Sequence, residues 1–410
     1  MKTPAVLLNL LLLPFYLCTA QTLDYSYICP VPGSANLNPE QNIILKCEEG
    51  FDRSAIGKDH FYISSTSGQP VDFTILFSDD ARTMILRPLT PFIKGERVSV
   101  KIREGIRGVN GAELDPLDFS FSIIRHDRDS LWMRLEELER TRLEEDPGLV
   151  ASPWVYEAPA LDNNLPPDYP APSVYSYGEH DDEYLFINMG CWNAGLPWKN
   201  YITILDSYGT PIYYDKSEVN RNNFYVMPNG RLTYAKNYLG NNSDEKYYIM
   251  DSAYVLIDSV NTGNGYILDS HDMLFLGNGH YLVMSYDPQP VDMSQIIEGG
   301  NPNAIVTGLV IQEVDHNQNV FFQWRSWDHF EITDATDDVN LLAQNIDYVH
   351  GNAFEIDFDG HILLSSRHLD EITKINFNNG NVMWRFGLNS KNNMFEIHDD
   401  PVGFTHQHDI

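Results

Sequence analysis

At 410 residues the chain is long enough for two or three domains, each with its own core. A formal net charge of −31 excludes nucleic acid and anionic membrane surfaces as partners, because both would repel it. With 27 glycines, 23 prolines, 23 tyrosines and 20 phenylalanines but few helical patterns, the composition reads as all-β with many tight turns.

The first segment, "MKTPAVLLNLLLLPFYLCTAQ", has Lys2, an apolar run to Leu17 and small residues at Thr19 and Ala20. It reads as a secretory signal peptide over residues 1–20, cleaved after Ala20. The apolar run is too short to span a bilayer, and no later segment is long enough, so the expectation is export without membrane insertion. A lipobox around Cys18 fits less well, since Phe15, Tyr16 and Leu17 are not small. Cys29, Cys47 and Cys191 remain after cleavage. Cys29 and Cys47 share one N-terminal unit, where a disulfide and two buried thiols both fit. Cys191 has no evident partner and reads as a lone buried thiol.

Residues 27–125 carry alternating runs: "NIILKC", "HFYISST", "DFTILFS", "TMILRPL", "RVSVKIR" and "DFSFSII". Turns separate them, which is the pattern of an antiparallel β-sandwich. The stretch "ILRPLTPFIKGERVSVKIREGIRGVNGAELD" resembles the bacterial Ig-like domain of exported proteins, a module that is often a spacer. Residues 126–173 form a connector. It starts with a helix predicted over 127–146, where Leu131, Leu135, Leu138 and Leu143 recur at helical spacing. Six prolines between Pro153 and Pro172 then keep the chain extended.

From 174 to 410 two phrases alternate. In one, a strand ends at a polar turn and another strand follows: "ITILDSYGTPIYY", "IQEVDHNQNVFFQW" and "ITKINFNNGNVMWRF". The other is a hairpin with an Asn-Gly or Asp-Gly turn: "FYVMPNGRLTYA", "DMLFLGNGHYLVMS" and "AFEIDFDGHILLSS". Two such hairpins make a four-stranded sheet, and their repetition predicts about four blades of a β-propeller.

In a propeller, residues from distant blades converge on a central funnel. His271-Asp272 and the pair His350 and Asn352 stand just before successive hairpins, and His406 and His408 stand where a further one would begin. Arg367-His368 closes a hairpin. Any one of these histidines is more often a satisfied structural residue than a catalyst. Asp272 and Asp347 could merely close turns, and Arg367 alone reads as an ion-pair residue. The repetition at matching positions is what points to a shared site. His280, His316, His361 and His398 fall in turns or at exposed positions and are set aside.

The phrases "DSHDMLFLGNGHYL", "FFQWRSWDHFEITD", "DYVHGNAFEIDFDGHILLSSRHLDEITKINFNNGNVMWRFG" and "QHD" resemble the arylsulfotransferase family over roughly 165–410. These are exported enzymes that move a sulfuryl group from a phenolic sulfate ester to a phenol, independently of PAPS. The resemblance implies His408, in "QHD", as the transiently sulfurylated nucleophile. It implies His271, His350 and Arg367 as further catalytic positions and Asn352 as a polar neighbour. His368 and His406 adjoin this set and, with Asn352, are the expected substrate-binding residues. On a strand, His406 would share a face with His408. A neutral imidazole suits nucleophilic catalysis near neutral pH, and Arg367 with N–H-donating histidines suits charge on the sulfuryl oxygens. No metal and no cofactor are required. The expected small-molecule partners are a phenolic sulfate donor and a phenol acceptor, and nothing sets the oligomeric state. The chain ends two residues after His408, where the family continues, so the expected ring is incomplete.

Two other readings compete. Histidines on a propeller axis suit iron or zinc, although Arg367 beside them disfavours a cation. A non-catalytic surface propeller carrying an Ig-like spacer is the second.

Overall fold

A computed structural model describes residues 22–125, 165–170, 183–190, 199–237, 245–396 and 402–410. The signal segment, the helix expected over 127–146, most of the proline connector, Cys191 and His398 lie outside them. The described residues are all-β, as expected, and the strand pairing is antiparallel except where Thr22–Leu23 lies beside Glu113–Leu114 and Ala304–Asp315 beside Asn345–Asp347.

The N-terminal unit has two main sheets. One joins β2 (Tyr27–Cys29), β3 (Ile43–Lys46), β5 (Phe73–Phe77) and β6 (Thr83–Pro88) in the order β2-β3-β6-β5. The other is β4 (Phe61–Ser65), β7 (Arg97–Ile102) and β9 (Leu117–Ser122). β1 (Thr22–Leu23) and β8 (Glu113–Leu114) form a short parallel pair at one end. Alternation explains the packing: in β7, Val98, Val100 and Ile102 are buried while Arg97 and Lys101 face solvent. They join Leu45, Phe61, Leu86 and Phe121 in one apolar cluster. Cys29 and Cys47 are both free thiols, and they lie in different clusters. Burial pushes the Cys29 thiol up to about 12, so it behaves as a small apolar side chain.

Four sheets follow. The first is β10 (Leu185–Met189), β11 (Asn200–Leu205) and β12 (Pro211–Ser217). The second runs β13 (Asn220–Val226), β14 (Leu232–Asn237), β15 (Tyr247–Met250) and β16 (Leu256–Val260). The third is β17 (Leu268–Gly277), β18 (His280–Val291), β19 (Ala304–Asp315) and β20 (Val320–Arg325), with β21 (Asn345–Asp347) added parallel to β19. The fourth is β22 (Gly351–Ile356), β23 (Ile362–Ser366), β24 (Glu371–Ile375) and β25 (Val382–Phe386).

The repeated phrases mark the turns of these sheets. Asp206 and Asp251 directly follow a strand and Asp315 ends one, and each accepts backbone N–H groups of the turn, at 2.8–2.9 Å. Between β17 and β18, Asn278 and Gly279 both adopt positive φ, as a two-residue hairpin loop requires.

The first strands of consecutive sheets touch in order: β10 with β13, β13 with β17, and β17 with β22. Side chains tie them together. Asn188 accepts from the Phe224 N–H, Asn223 donates to the His271 carbonyl, and Asp272 accepts from the Phe354 N–H. At the same level the pairing of β13, β17 and β22 slips, between Asn222 and Tyr225, Asp269 and Met273, and Gly351 and Ala353. Such bulges re-aim side chains, and here they lie beside the histidines.

The N-terminal unit is fastened to the third sheet, with β20 packing against β3 and β6. The Tyr27 hydroxyl donates to the Gln323 carbonyl and accepts from the Gln323 N–H (2.8 Å). Gln323 also donates to Gln41, Asn264 accepts from the Asn42 N–H, and Arg325 donates to the Ala35 carbonyl. Tyr27, Cys29 and Ile44 belong to the same apolar cluster as Trp324 and Phe322. The contact is a shared core rather than a flexible tether.

Candidate functional site

The 12-residue strands β18 and β19 run past the end of their neighbours, and the site is built on that overhang. The β17–β18 pairing stops at Leu268–Ser285, so Tyr286 and the residues after it project beyond β17. β21 pairs with the far end of β19, placing Asp347 opposite Thr307. The chain then turns through His350 at φ 48° and enters β22. A left-handed conformation costs a non-glycine residue on the order of 1–2 kcal/mol. Asp347 offsets this by accepting the His350 N–H at 3.0 Å and the ring Nδ1–H at 2.7 Å.

His271 projects from the bulge of β17. Asp269 accepts its N–H at 2.9 Å and its Nδ1–H at 2.7 Å. The two imidazoles lie edge to face, with ring centres 5.4 Å apart. The Tyr286 ring is 6.0 Å from each, and its hydroxyl donates to the Gly351 carbonyl. His408 completes the group, 6.3 Å from His271 and 5.7 Å from His350 between ring centres. One ring nitrogen from each of the three lies within 4.8 Å of the others.

Arg367 begins a short 3-10 turn after β23, and its N–H donates to the His350 carbonyl at 3.0 Å. Its guanidinium donates to His368 Nε2 at 2.7 Å, while His368 Nδ1–H donates to the Asp347 carbonyl at 2.6 Å. Both nitrogens of His368 are therefore spent on protein groups. Its ring lies 4.8 Å from that of His350, so it stands beside the cluster and holds Arg367 in place.

Asn352 is buried and donates to the Gln407 carbonyl at 2.7 Å. Gln407 in turn donates to the carbonyls of Ser366 and Glu371. These bonds moor the segment that carries His408. Residues 402–410 form no strand, so His406 does not share a strand face with His408. His406 has φ 53° and its Nε2 pairs with Asp338 at 2.5 Å, which engages it outside the three-histidine cluster. Nor are His271 and His350 at one register: His271 stands eight residues before the turn glycine Gly279, and His350 ten before Gly360. Asn352 is the residue in register with His271.

The electrostatics separate the three histidines. Burial would lower the pKa of His271, but the Asp269 carboxylate, with Asp347 and Asp272 beyond it, outweighs that and raises it. His408 moves the other way. Partial desolvation and the nearby His350, His271 and Arg367 lower it against the His406 carbonyl, which accepts its Nδ1–H at 3.2 Å. Desolvation also lowers His368, with the Asp347 carboxylate opposing. Asp347 stays below the ordinary carboxylate range: burial raises it, but the His350 hydrogen bond and the His350 and His368 charges win. Burial raises Asp272 to about 6, against the N–H groups of Phe354 and Met273. The pattern is one imidazole biased to the cation, His271, and one biased to the free base, His408.

Asp269 and Tyr286 were not legible as site residues, and Asp347 read only as a turn closer. The signal for the two carboxylates was their place, two and three residues before a candidate histidine.

A family model described as arylsulfotransferase (ASST) matches residues 177–394, and one described as a bacterial Ig-like domain matches residues 21–123. The first match takes in His271, His350, Asn352, Arg367 and His368, while His406 and His408 lie beyond it. No curated protein matches the chain. Among solved structures, a protein of unknown function from Bacteroides caccae is 13% identical, with a TM-score of 0.29 over 50% of this chain. The match spans 57% of that protein. The copper resistance protein PcoC from Escherichia coli is 18% identical over 24% of this chain and 97% of its own, with a TM-score of 0.20. Likenesses at this level carry no argument about function.

Proposed function

The chain belongs to the arylsulfotransferase family, and from that premise we propose an exported enzyme that transfers a sulfuryl group from a phenolic sulfate ester to a phenol through a sulfurylated His408. The observation that carries this reading is the meeting of His271, His350 and His408, from three separate segments, beside Arg367. On the same reading the four sheets are blades of a β-propeller, supported by the serial contact of their first strands.

His408 Nδ1–H donates to the His406 carbonyl, which leaves the Nε2 lone pair for attack. Nε2 bonds to sulfur as the sulfur–oxygen bond to the donor phenol breaks. The departing phenolate takes a proton from the His271 imidazolium, which the Asp269 carboxylate holds charged. In the second half the acceptor phenol returns a proton to His271, its oxygen bonds to sulfur, and the bond to Nε2 breaks. Sulfuryl transfer resembles phosphoryl transfer, so charge gathers on the non-bridging oxygens. Arg367, held by His368, faces that charge, and His350, whose Nδ1–H is taken by Asp347, adds an Nε2–H donor only as the imidazolium. His368 and Asn352 act as positioning residues, for Arg367 and for the His408 segment.

Export follows from the signal-like residues 1–20 and suits a periplasmic, cell-surface or secreted enzyme. Among the described residues no helix is long and apolar enough to cross a membrane. The test is release of 4-nitrophenol from 4-nitrophenyl sulfate, dependent on an added phenol and matched by formation of the acceptor's sulfate ester. No stimulation by any phenol would overturn the reading.

The three-histidine cluster also suits a catalytic metal, the second reading. Activity lost on chelation and restored by a divalent cation would favour it.

A further inference from the structure

We propose that His271, His350 and His408 also form a binding site for a first-row divalent cation of the zinc class, and that the cation inhibits sulfuryl transfer by occupying the space the sulfuryl group takes. The inhibitory half rests on the function proposed above, while the binding half rests on geometry alone.

One ring nitrogen from each histidine lies within 4.8 Å of the others. The Nδ1 of each ring is engaged by an acceptor: the Asp269 carboxylate at 2.7 Å, the Asp347 carboxylate at 2.7 Å and the His406 carbonyl at 3.2 Å. In the neutral ring each Nε2 is thereby the lone pair, and on His271 a cation must displace the proton that Asp269 favours. Histidines that hold zinc are arranged in this way, with the second ring nitrogen donating to a carboxylate or carbonyl that fixes the tautomer. Asp269 and Asp347 also place two negative charges behind the ligands, and these favour a dication.

Three imidazoles with an open fourth position are a donor set that zinc accepts. Zinc–nitrogen bonds of about 2.0–2.1 Å in a tetrahedron put the ligand nitrogens roughly 3.4 Å apart. The cluster must therefore draw in by about 1.4 Å at its widest separation of 4.8 Å. His408 is exposed and lies outside any strand, so rotation of its side chain can supply that movement while Gln407 stays moored.

Asp347, His350 and His368 make a second group of similar closeness. It cannot serve as the cation site without dismantling its neighbours, because His368 Nε2 accepts from Arg367 and its Nδ1 donates to a carbonyl. Arg367 opposes a cation at the first site as well, which makes the site reversible rather than a resident metal centre.

The test is calorimetric titration of zinc into the full chain in sulfate-free, non-chelating buffer, with folding of each variant checked by circular dichroism. One equivalent should bind, at least tenfold more weakly in His350→Ala and His408→Ala and about tenfold more weakly in Asp347→Asn. His316→Ala, at an exposed turn, should bind as the wild type does. Equal affinity in the wild type and His408→Ala would overturn the site. In the transfer assay zinc should raise the apparent KM for 4-nitrophenyl sulfate at constant kcat, and a chelator should reverse the effect. Activation by zinc, or binding without competition, would overturn the inhibitory half. Binding at the three histidines in a protein with no transfer activity would uphold the site and remove the sulfotransferase reading instead.

Discussion

Replacing Asp269 with Asn removes one negative charge from behind His271 and little else. The carboxamide oxygen can still accept the His271 N–H, now met at 2.9 Å, and the Nδ1–H, now met at 2.7 Å. A hydrogen bond to a charged group contributes about 1.5–3 kcal/mol. His271 is 34% exposed, so solvent screening favours the low end, about 1.5 kcal/mol, or roughly tenfold in rate. The sign follows from the direction of the shift. Asp269 raises the pKa of His271 against burial, so its loss lets burial dominate and the imidazolium loses its proton at lower pH. If His271 delivers the phenol proton, the basic limb of kcat/KM for 4-nitrophenyl sulfate moves acidward. At a fixed pH on that limb the rate falls about tenfold, and on the acidic side it barely changes. A folded Asp269→Asn enzyme whose basic limb coincides with that of the wild type would refute His271 as the titrating donor.

Arg367→Ala should still form the sulfuryl adduct, but about 10²–10³-fold more slowly in single-turnover mixing, because one donor to the developing charge is gone. Gln407→Ala removes the bonds to the Ser366 and Glu371 carbonyls that moor the His408 segment. It should lower kcat about tenfold with the melting temperature within a degree or two, as read by calorimetry, since the segment adds little to the core. Tyr27→Phe leaves the Gln323 N–H and carbonyl without their partner at a buried contact. It should cost about 1–3 kcal/mol in urea unfolding, and the N-terminal unit and the sheets should still melt in one transition.

The strands were legible because their chemistry is local. Alternation in "RVSVKIR" needs only one buried face, and Asp206 and Asp315 cap turns made by the residues that follow them. All six strands expected in the N-terminal unit and all six hairpins expected after 174 are present. What stayed hidden depends on distant partners. Tyr27 meets Gln323 across 296 residues, and no pattern in either segment announces it. Cys29 and Cys47 are close in sequence yet face different cores, because β2 and β3 pack Cys29 toward the third sheet. Tyr286 reached the site only because β18 overruns β17, a length difference that alternation does not encode. His406 read as a strand neighbour of His408, but its left-handed backbone turns the chain there and commits the ring to Asp338.

The claim that His408 carries the sulfuryl group is tested most directly on the peptide around "FTHQHD". The full chain is incubated briefly with 4-nitrophenyl sulfate and no acceptor, then digested and sequenced by mass spectrometry under conditions that preserve a nitrogen–sulfur bond. The prediction is an added SO3 on His408, discharged by a phenol and absent from His408→Ala along with turnover. An adduct on His406, His350 or His271, or undiminished turnover in His408→Ala, would contradict it.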